Sequence, residues 1–261
     1  MNKIYVMLSG FFKYKNLLIE LVVRDIKTRY RRSVLGLLWT LLNPLLTMIV
    51  MTMVFSNLFR SDIEHFPVYL LTGTILFTFN TEATTQALTS VIANASLIKK
   101  VYIPKYLFPF SRVVSSMVNL GFALIALLLV MIVTGTPFHT TLALFAIPIF
   151  YLLLFTTGLS LALSALTVFF RDIHHLYGVF TLLWTYSTPL FYPASIIPEK
   201  FSWIFVWNPM YYYVDYFRQL VLYGQLPDLG SNLICFFIGF VMLLVGLFTF
   251  YKTQDKFILH I

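Results

Sequence analysis

The feature that most constrains this chain is an abrupt boundary between a basic segment and a long uncharged stretch. Five Lys and Arg residues lie between Arg24 and Arg32, and no charged residue follows until Arg60. Roughly 20 apolar residues suffice for an α-helix to cross the hydrocarbon core of a bilayer. Lys and Arg concentrate on the cytosolic side of such helices. The sequence therefore predicts an integral membrane protein whose N-terminal segment lies in the cytosol.

Composition supports this interpretation and excludes several other classes of protein. The chain is 59% hydrophobic and only 11% charged, compared with about 25% charged residues in soluble domains. Eight of the 18 Lys and Arg residues precede residue 33. The net charge of +8 is therefore better matched by anionic lipids and a cytosolic protein partner than by nucleic acid. Cys235 is the single cysteine, so neither a disulfide framework nor a cysteine metal site is expected.

The remaining charges divide the chain into six predicted membrane spans. The loop 95–112 carries four cations and no acid, which is typical of the cytosolic side, whereas the turn 135–140 carries no Lys or Arg. We expect no signal peptide, because the first apolar run begins too late in the sequence. Six crossings place both termini in the cytosol. The predicted spans are 33–59, 67–94, 113–134, 142–170, 176–192 (kinked or ended by Pro189) and 232–251.

These patterns predict an all-α membrane protein in two parts. Residues 1–32 form a cytosolic segment with an amphipathic interface helix, and residues 33–261 form the six-span domain. On the helix, Glu20 is spaced to pair with Arg24, and Asp25 with Arg29. A basic amphipathic helix of this kind lies on the membrane surface. It serves either as a lipid anchor alone or also as a docking surface for a partner.

The sequence contains no motif typical of an enzyme. No Gly-Lys dipeptide occurs, so the chain lacks the phosphate-binding loop of P-loop ATPases. His174 and His175 point to different faces of any helix, and no metal site is expected. Glu82 is the main ionisable residue within the spans. It is either a substrate contact or, as we prefer, a polar group that holds the helices together.

Five blocks of sequence, in this order, resemble a known family: "RDIKTRYRRSVLGLLWTLLNPLL" (24–46), "LIKKVYIPKYLFPFSRV" (97–113), "FFRDI" (169–173), "TPLFYPASIIP" (188–198) and "NPMYYYVDYFRQLVLYG" (208–224). They resemble the membrane subunits of ABC-type exporters of lipid-linked cell-envelope polysaccharides. That family includes permeases for O-antigen and wall teichoic acid. The resemblance extends from about residue 16 to the C-terminus.

The resemblance implies a transport subunit rather than an enzyme. Such a subunit pairs with a second copy of itself in the plasma (inner) membrane of a bacterium and binds two copies of a cytosolic ABC ATPase. ATP and Mg then belong to the ATPase, and this chain binds no cofactor. The cargo is a polymer linked to undecaprenyl pyrophosphate or a similar carrier. The residues implied in ATPase docking are Lys99, Lys100, Tyr102, Pro104, Arg171 and Asp172.

The fifth predicted span mixes aromatic and polar side chains, which suits a wet channel better than lipid. Tyr and Trp offer a flat face and a polar edge to sugar rings, although most aromatic residues of membrane proteins belong to interfacial belts. The channel-lining candidates are Glu82, Trp184, Tyr186, Phe191 and Tyr192.

The segment 194–230 predicts two short helices joined at residues 207–208. Pro198 can begin the first, and Asn208 followed by Pro209 is the pattern of an N-cap and a first helical residue. From Pro209 to Tyr223 a helix reaches only about 22 Å, too short to cross. Its apolar face excludes Asp215 and Arg218. The pattern indicates a re-entrant hairpin on the outer side of the membrane. The family resemblance implies that this hairpin is a gate at the outer end of the channel. The alternative is an anchor in the membrane interface that does not move. The gate candidates are Pro198, Trp207, Asn208, Pro209, Tyr213, Phe217 and Arg218.

Two other functions are compatible with the sequence. One is an ABC exporter of drugs or lipids with the same membrane fold. The other is a membrane-embedded transferase, which the scarcity of acids and histidines disfavours. The genes beside this one would discriminate, because an ATPase gene among glycosyltransferase genes indicates polymer export.

Overall fold

The computed structural model describes residues 13–31, 33–58, 63–201 and 203–260, and all regular structure within them is helical. We number the α-helices in chain order: α1 Lys15–Tyr30, α2 Leu38–Leu58, α3 Phe66–Leu88, α4 Ser90–Ala93, α5 Ala95–Lys100, α6 Leu107–Thr134, α7 Ala146–Phe169, α8 Ile173–Ser187, α9 Trp203–Val206, α10 Pro209–Val221 and α11 Leu229–Thr253. Short 3₁₀ helices are Thr140–Leu144, Ala194–Ile196, Glu199–Phe201 and Gln254–Leu259.

Within the described residues, four segments are long and apolar enough to cross a membrane. They are Leu38–Phe55 in α2, Leu107–Thr134 in α6, Thr140–Phe169 around α7 and Leu229–Leu259 around α11. They correspond to the first, third, fourth and sixth predicted spans. α2 begins five residues later than predicted, after a turn in which Gly36 has a positive φ of 49° and its N–H donates to Ser33 Oγ at 3.1 Å. Residue 59, the predicted end of this span, lies outside the described residues.

The second predicted span is α3, the central helix of the bundle. Most of its side chains are buried, and Val68, Leu70 and Leu71 are fully enclosed. Protein rather than lipid surrounds α3, so this helix tolerates the polar residues Asn80 and Glu82. These residues make α3 less hydrophobic than the four segments named above. The prediction of one continuous element over 67–94 was wrong at its end, where α3 stops at Leu88 and two short helices follow.

The fifth predicted span is α8, which has 15 residues and reaches only about 22 Å. It ends at Ser187, and Thr188 is extended with φ −100° and ψ 130°. Pro189 explains this end, because the residue before a proline is disfavoured in the helical region. The expectation that Pro189 limits this element is confirmed.

Two hydrophobic clusters organise the molecule. The larger surrounds α3 and includes side chains from α6, α7 and α10. The smaller joins both terminal parts of the chain, because Leu21 of α1 and Phe257 after α11 pack together with Ile103 and Leu107. We call the end of the bundle that contains this smaller cluster the basic end. Residues 13–31 and 95–112, which carry many of the cations, meet there.

Among the described helices, α7 and α11 have the most extensive contact, and they approach through glycines. A Cβ atom added to Gly158 would lie 2.2 Å from the carbonyl oxygen of Met242, and one added to Gly246 would lie 2.0 Å from that of Gly158. No side chain fits at either position, so Gly158 of α7 and Gly246 of α11 together allow the two helices to approach closely.

Candidate functional site

A polar cavity of about 420 Å³ lies between α2, α3 and α6, with the end of α1 at one side. Its lining is unusual for spanning helices, because ten of its 16 residues carry hydroxyl, amide or charged side chains. The polar residues and the tryptophan of its wall are Arg29, Ser33, Trp39, Thr40, Asn43, Thr47, Thr74, Thr78, Glu82, Ser116 and Asn119.

Glu82 of α3 is the centre of a hydrogen-bond network in this wall. Its Oε1 atom accepts from Gln86 Nε2 at 2.9 Å, from Asn119 Nδ2 at 2.7 Å and from Ser116 Oγ at 3.4 Å. Arg29 of α1 donates to the same oxygen and forms an ion pair with the carboxylate. The network joins α1, α3 and α6, so the role in holding helices together is supported by these contacts.

Helix α1 is attached to the bundle by its charged residues. Asp25 is buried and forms ion pairs with Arg112 of α6 at 2.9 Å and with Arg24 at 3.2 Å. Arg24 also donates to Asn94 Oδ1 at 3.2 Å. The predicted pairs along the helix were therefore wrong: Arg29 bonds to Glu82 on α3 rather than to Asp25, and Arg24 bonds to Asp25 and Asn94. Long-range partners compete successfully because the helix face is buried.

Two neighbouring cavities extend the polar one in both directions. Toward the basic end, a cleft of about 680 Å³ shares Arg29 and Glu82 with it and is also lined by Arg24, Gln86 and Arg112. On the other side, a groove of about 400 Å³ shares the threonines of α2 and α3 and reaches α8. The residues that line this groove on its two sides are Thr47, Thr74, Thr78, Thr81, Thr181, Thr185 and Phe191.

The structure separates the predicted channel-lining residues. Glu82 and Phe191 line cavities, and Phe191 also stacks on Phe55 with ring centroids 5.6 Å apart. Tyr186 is 65% exposed on α8. Tyr192 is half-buried and donates to the carbonyl of Tyr186 at 2.7 Å. Trp184 instead lies in the core of the protomer, where its indole contacts neighbouring rings, so it faces none of these cavities.

Asn208 joins α8 to α10. Its Oδ1 accepts from Trp184 Nε1 at 2.7 Å and from the backbone N–H of Met210 at 3.0 Å. Its Nδ2 donates to Thr188 Oγ1 at 2.9 Å and to the carbonyl of Ser187 at 3.2 Å. The prediction of an N-cap at Asn208 with proline at the first helical position is confirmed. The helix predicted over Pro198–Trp207 was wrong in extent: among the described residues of this range, 198–201 and 203–207, the regular structure is a 3₁₀ turn and the four residues of α9.

α10 is embedded in the bundle. Its predicted apolar face is buried, and Tyr213 and Phe217 are fully enclosed. Tyr213 donates to the carbonyl of Cys235 on α11 at 3.0 Å, and Thr141 donates to that of Leu220 at 2.7 Å. The helix ends at Val221, two residues earlier than predicted. Trp207 and Pro198 remain exposed.

Arg218 was expected off the buried face of α10, but it is 4% exposed. Its guanidinium donates to the carbonyls of Pro189, Tyr69 and Leu190 at 2.8, 3.1 and 3.3 Å. Its Cζ lies 3.5 Å from the centre of the Tyr69 ring, a cation–π contact. Sequence reasoning missed this site, because main-chain acceptors leave no pattern in the sequence. The nearest signal is Gly73, whose missing side chain leaves space for the guanidinium.

The predicted docking residues form an exposed surface at the basic end. Lys99 and Lys100 are exposed at the end of α5, Tyr102 is 92% exposed, and Arg171 and Asp172 are exposed before α8. Pro104 is half-buried. Exposed apolar side chains border these charges, namely Val101, Phe170 and Leu176. An apolar surface bordered by charges is the kind of surface that protein partners bind.

Behind this surface, the loop after α5 is fixed to the last helical turn. Lys105 Nζ donates to the carbonyl of Gln254 at 2.5 Å and lies 5.7 Å from the centre of the Phe257 ring. Burial lowers the pKa of Lys105, and the nearby Asp255 opposes that shift. The exposed loop therefore rests on a rigid support.

Comparisons with known proteins agree with this architecture. Residues 16–222 match the family of the ABC-2 type transporter. The chain is 33% identical over 245 residues, 93% of each chain, to the O-antigen export system permease protein RfbA of Klebsiella pneumoniae. It is 29% identical to the protein of the same name from Myxococcus xanthus, over 94% of this chain and 95% of that one. It is 24% identical to the polysialic acid transport protein KpsM of Escherichia coli, over 95% and 97% of the two chains. The four apolar helices suit a multi-pass membrane protein, and the chain belongs to the ABC-2 type transporter family of membrane permeases.

Proposed function

We propose that this chain is the permease subunit of an ATP-driven ABC exporter that moves a lipid-linked polysaccharide from the cytosol across a bacterial plasma membrane. The observation that carries this proposal is the similarity over 93% of both chains to an O-antigen export permease. The similarity to a polysialic acid transporter supports the same class of cargo. A polymer of sugars on a lipid carrier of the undecaprenyl type is the cargo we propose; a teichoic-acid-type polymer, which is joined by phosphodiesters and is anionic, is the alternative cargo.

ATP hydrolysis is the task of a separate ATPase. The chain lacks the Gly-Lys dipeptide of a phosphate-binding loop, and the ABC-2 family implies a cytosolic ABC ATPase. In our proposal two ATPase copies hold the ATP and Mg. They bind at the basic end against Lys99, Lys100, Tyr102, Pro104, Arg171 and Asp172. The support is the exposure of the charged and aromatic members of this group beside apolar side chains.

We propose six crossings with both termini in the cytosol. The four long apolar helices supply four of them. α3 supplies one because it lies at the centre of the bundle, and the short α8 supplies the other. An even number is favoured because Leu21 and Phe257 pack in one cluster at the basic end. The basic character of that end favours the cytosolic side.

The glycan path is proposed to lie between two copies of this chain. α2 and α8 expose large apolar side chains, including Val50, Met53, Val179 and Leu183. Lipid or a second copy covers such surfaces in a membrane. The threonine groove between these two helices, with Phe191 and the exposed Tyr186 beside it, would then face the path. We propose α10 as the outer gate, and Asn208 caps the N-terminal end of this helix.

Deletion of the gene in its own host tests the function. We expect the strain to lose surface polysaccharide and to accumulate lipid-linked polymer inside the cell, and a plasmid copy to restore export. Immunoblots of surface and cell fractions measure both. A tagged chain should also retain an ABC ATPase during purification. Normal surface polysaccharide in the deletion strain would refute the proposal.

A further inference from the structure

We infer that the cavity between α2, α3 and α6 is a binding site for an uncharged, hydroxyl-rich group, namely sugar units of a glycan. Glu82 acts in it as a hydrogen-bond acceptor and Trp39 as a flat surface. That the ligand is the exported polymer rests on the proposed function above. The site itself rests on the geometry of the cavity wall.

Two facing helices present polar side chains at helical spacing. On α2, Trp39, Asn43 and Thr47 recur every four residues, and on α3, Thr74, Thr78 and Glu82 do the same. All six line the cavity. Residues four apart lie on the same face of a helix, so each helix contributes a continuous polar stripe.

The carboxylate of Glu82 is held in place by one oxygen only. Arg29, Gln86, Ser116 and Asn119 all donate to Oε1. Among the described residues nothing donates to Oε2. The side chain is 24% exposed, in the wall of the cavity. A carboxylate oxygen accepts hydrogen bonds only, so Oε2 is a fixed acceptor for a ligand hydroxyl or amide N–H. Fixing an acceptor in advance lowers the entropic cost of binding.

Other polar groups of the cavity are also available to a ligand. The side chains of Asn43 and Thr47 are exposed and form no hydrogen bond with the described residues. An amide offers two donors and an acceptor, and a hydroxyl offers both functions. Polar groups of spanning helices are costly in hydrocarbon, so these side chains require water or a polar ligand. The indole of Trp39 adds a flat amphipathic face.

Charge decides between a sugar and a phosphate. Arg29 and Glu82 are the charged residues of the described cavity wall, and their ion pair leaves that part of the wall without net positive charge. The free oxygen of Glu82 would also repel a phosphate or pyrophosphate. An uncharged polyhydroxyl group meets no such repulsion and supplies the donors that Oε2 lacks. The volume of about 420 Å³ falls within the range of roughly 300–1,000 Å³ typical of small-ligand pockets.

Binding to the purified full-length chain with its ATPase tests the inference. The probe is the phosphate-free oligosaccharide released by mild acid from the host strain's own surface polysaccharide. We expect it to change the tryptophan fluorescence of the wild type, and Trp39→Phe to remove that change. Asn43→Leu should weaken binding on the order of tenfold, the loss expected for about one hydrogen bond in a site. The matched control is Trp203→Phe, an exposed tryptophan outside the cavity, which should bind as the wild type does.

Three outcomes would overturn the inference. They are no binding of the oligosaccharide by the wild type, unchanged binding by Asn43→Leu, or binding of inorganic pyrophosphate in place of the oligosaccharide. Glu82→Gln is a second variant: the donors around Oε1 hold the amide oxygen at that position, so an NH2 donor replaces the acceptor Oε2. It should bind less oligosaccharide, and it should also lower thermal stability because the ion pair with Arg29 is lost. Failure of the broader proposal is recognised separately, by normal surface polysaccharide in the deletion strain.

Discussion

The guanidinium of Arg218 is neutralised by no carboxylate at close range among the described residues; three carbonyl groups and one aromatic ring surround it instead. These carbonyls belong to α3 and to the turn after α8, so one side chain of α10 fixes three segments. The planar group suits this task, because its N–H donors diverge in one plane while its face stacks on a ring. Arg218 is therefore a structural residue of the proposed gate.

Replacing Arg218 by Met should destabilise the protein by roughly 2 kcal/mol, because buried carbonyls lose charged donors. Arg218→Lys should recover part of this loss, since an ammonium keeps the charge but cannot form the same divergent contacts. Thermal unfolding of the purified protein measures both. The control is Arg171→Met at an exposed position, with no expected change. Equal stability of the Arg218 and Arg171 variants would contradict this role.

For single residues, the sequence predicts roles that depend on neighbouring residues in the chain. It does not predict roles that depend on partners far away in the sequence. Asn208 was predicted as an N-cap because the pattern of Asn followed by Pro is local. The additional bonds of its side chain to Trp184 and Thr188 were not, because they depend on how α8 and α10 pack. Arg218 was placed on the wrong face for the same reason. Burial of a cation becomes favourable only when carbonyls from other segments surround it.

At the scale of helices, close approach of α7 and α11 depends on positions without side chains. Backbone atoms of Gly158 and Gly246 touch across the interface. In a membrane the hydrophobic effect gives helices little reason to associate, and packing of small residues is a main source of attraction. Gly246 lies among large apolar residues of α11, so the sequence of that helix alone does not show which position meets Gly158.

Replacing a glycine by alanine should change thermal stability in opposite directions at glycines that contact another helix and at glycines with open space around them. Gly158→Ala and Gly246→Ala should lower thermal stability, because the added methyl group meets backbone atoms at 2.2 and 2.0 Å. Gly121→Ala, with nothing within 4 Å, should be neutral or raise stability by up to about 1 kcal/mol, the helix propensity difference. Identical effects at all three positions would show that the α7–α11 contact does not limit stability.

The exposed loop after α5 allows a test of ATPase docking. Reversing two charges with Lys99→Glu and Lys100→Glu should reduce the amount of ATPase retained in purification, or uncouple ATP hydrolysis from export. Lys200→Glu is the matched control, since Lys200 is equally exposed but lies in the segment proposed for the outer side. Retained ATPase per permease, measured on gels, gives the readout. The docking surface would lie elsewhere if the double variant matched the control.

For the whole molecule, the distribution of cations predicted which chain segments meet at one end. The smaller hydrophobic cluster joins those segments, including Leu21 and Ile103. The number of crossings is less evident from sequence. α3 is too polar and α8 too short to satisfy the usual criteria, because protein contacts replace lipid around α3 and Pro189 limits α8.

Thiol labelling in intact cells tests the six crossings. Single cysteines in a Cys235→Ser background at Tyr102 and His174 should be protected from an impermeant reagent, and those at Phe138 and Lys200 should react. All four positions are exposed, so access depends on the side of the membrane. Lysed cells of a strain without the ATPase, in which every position should react, provide the control. Labelling of Tyr102 or His174 in sealed cells would disprove the six-span arrangement.

The smaller hydrophobic cluster has a consequence for biosynthesis. Ribosomes deliver α1 first, whereas Phe257 and the carbonyl of Gln254 that supports Lys105 are made after every spanning helix. A nascent chain that has inserted only part of its helices therefore lacks the support of its own docking loop. Complexes with the ATPase would then form only on fully synthesised permeases. A stalled or truncated chain would not bind the ATPase, and membrane proteases would degrade it.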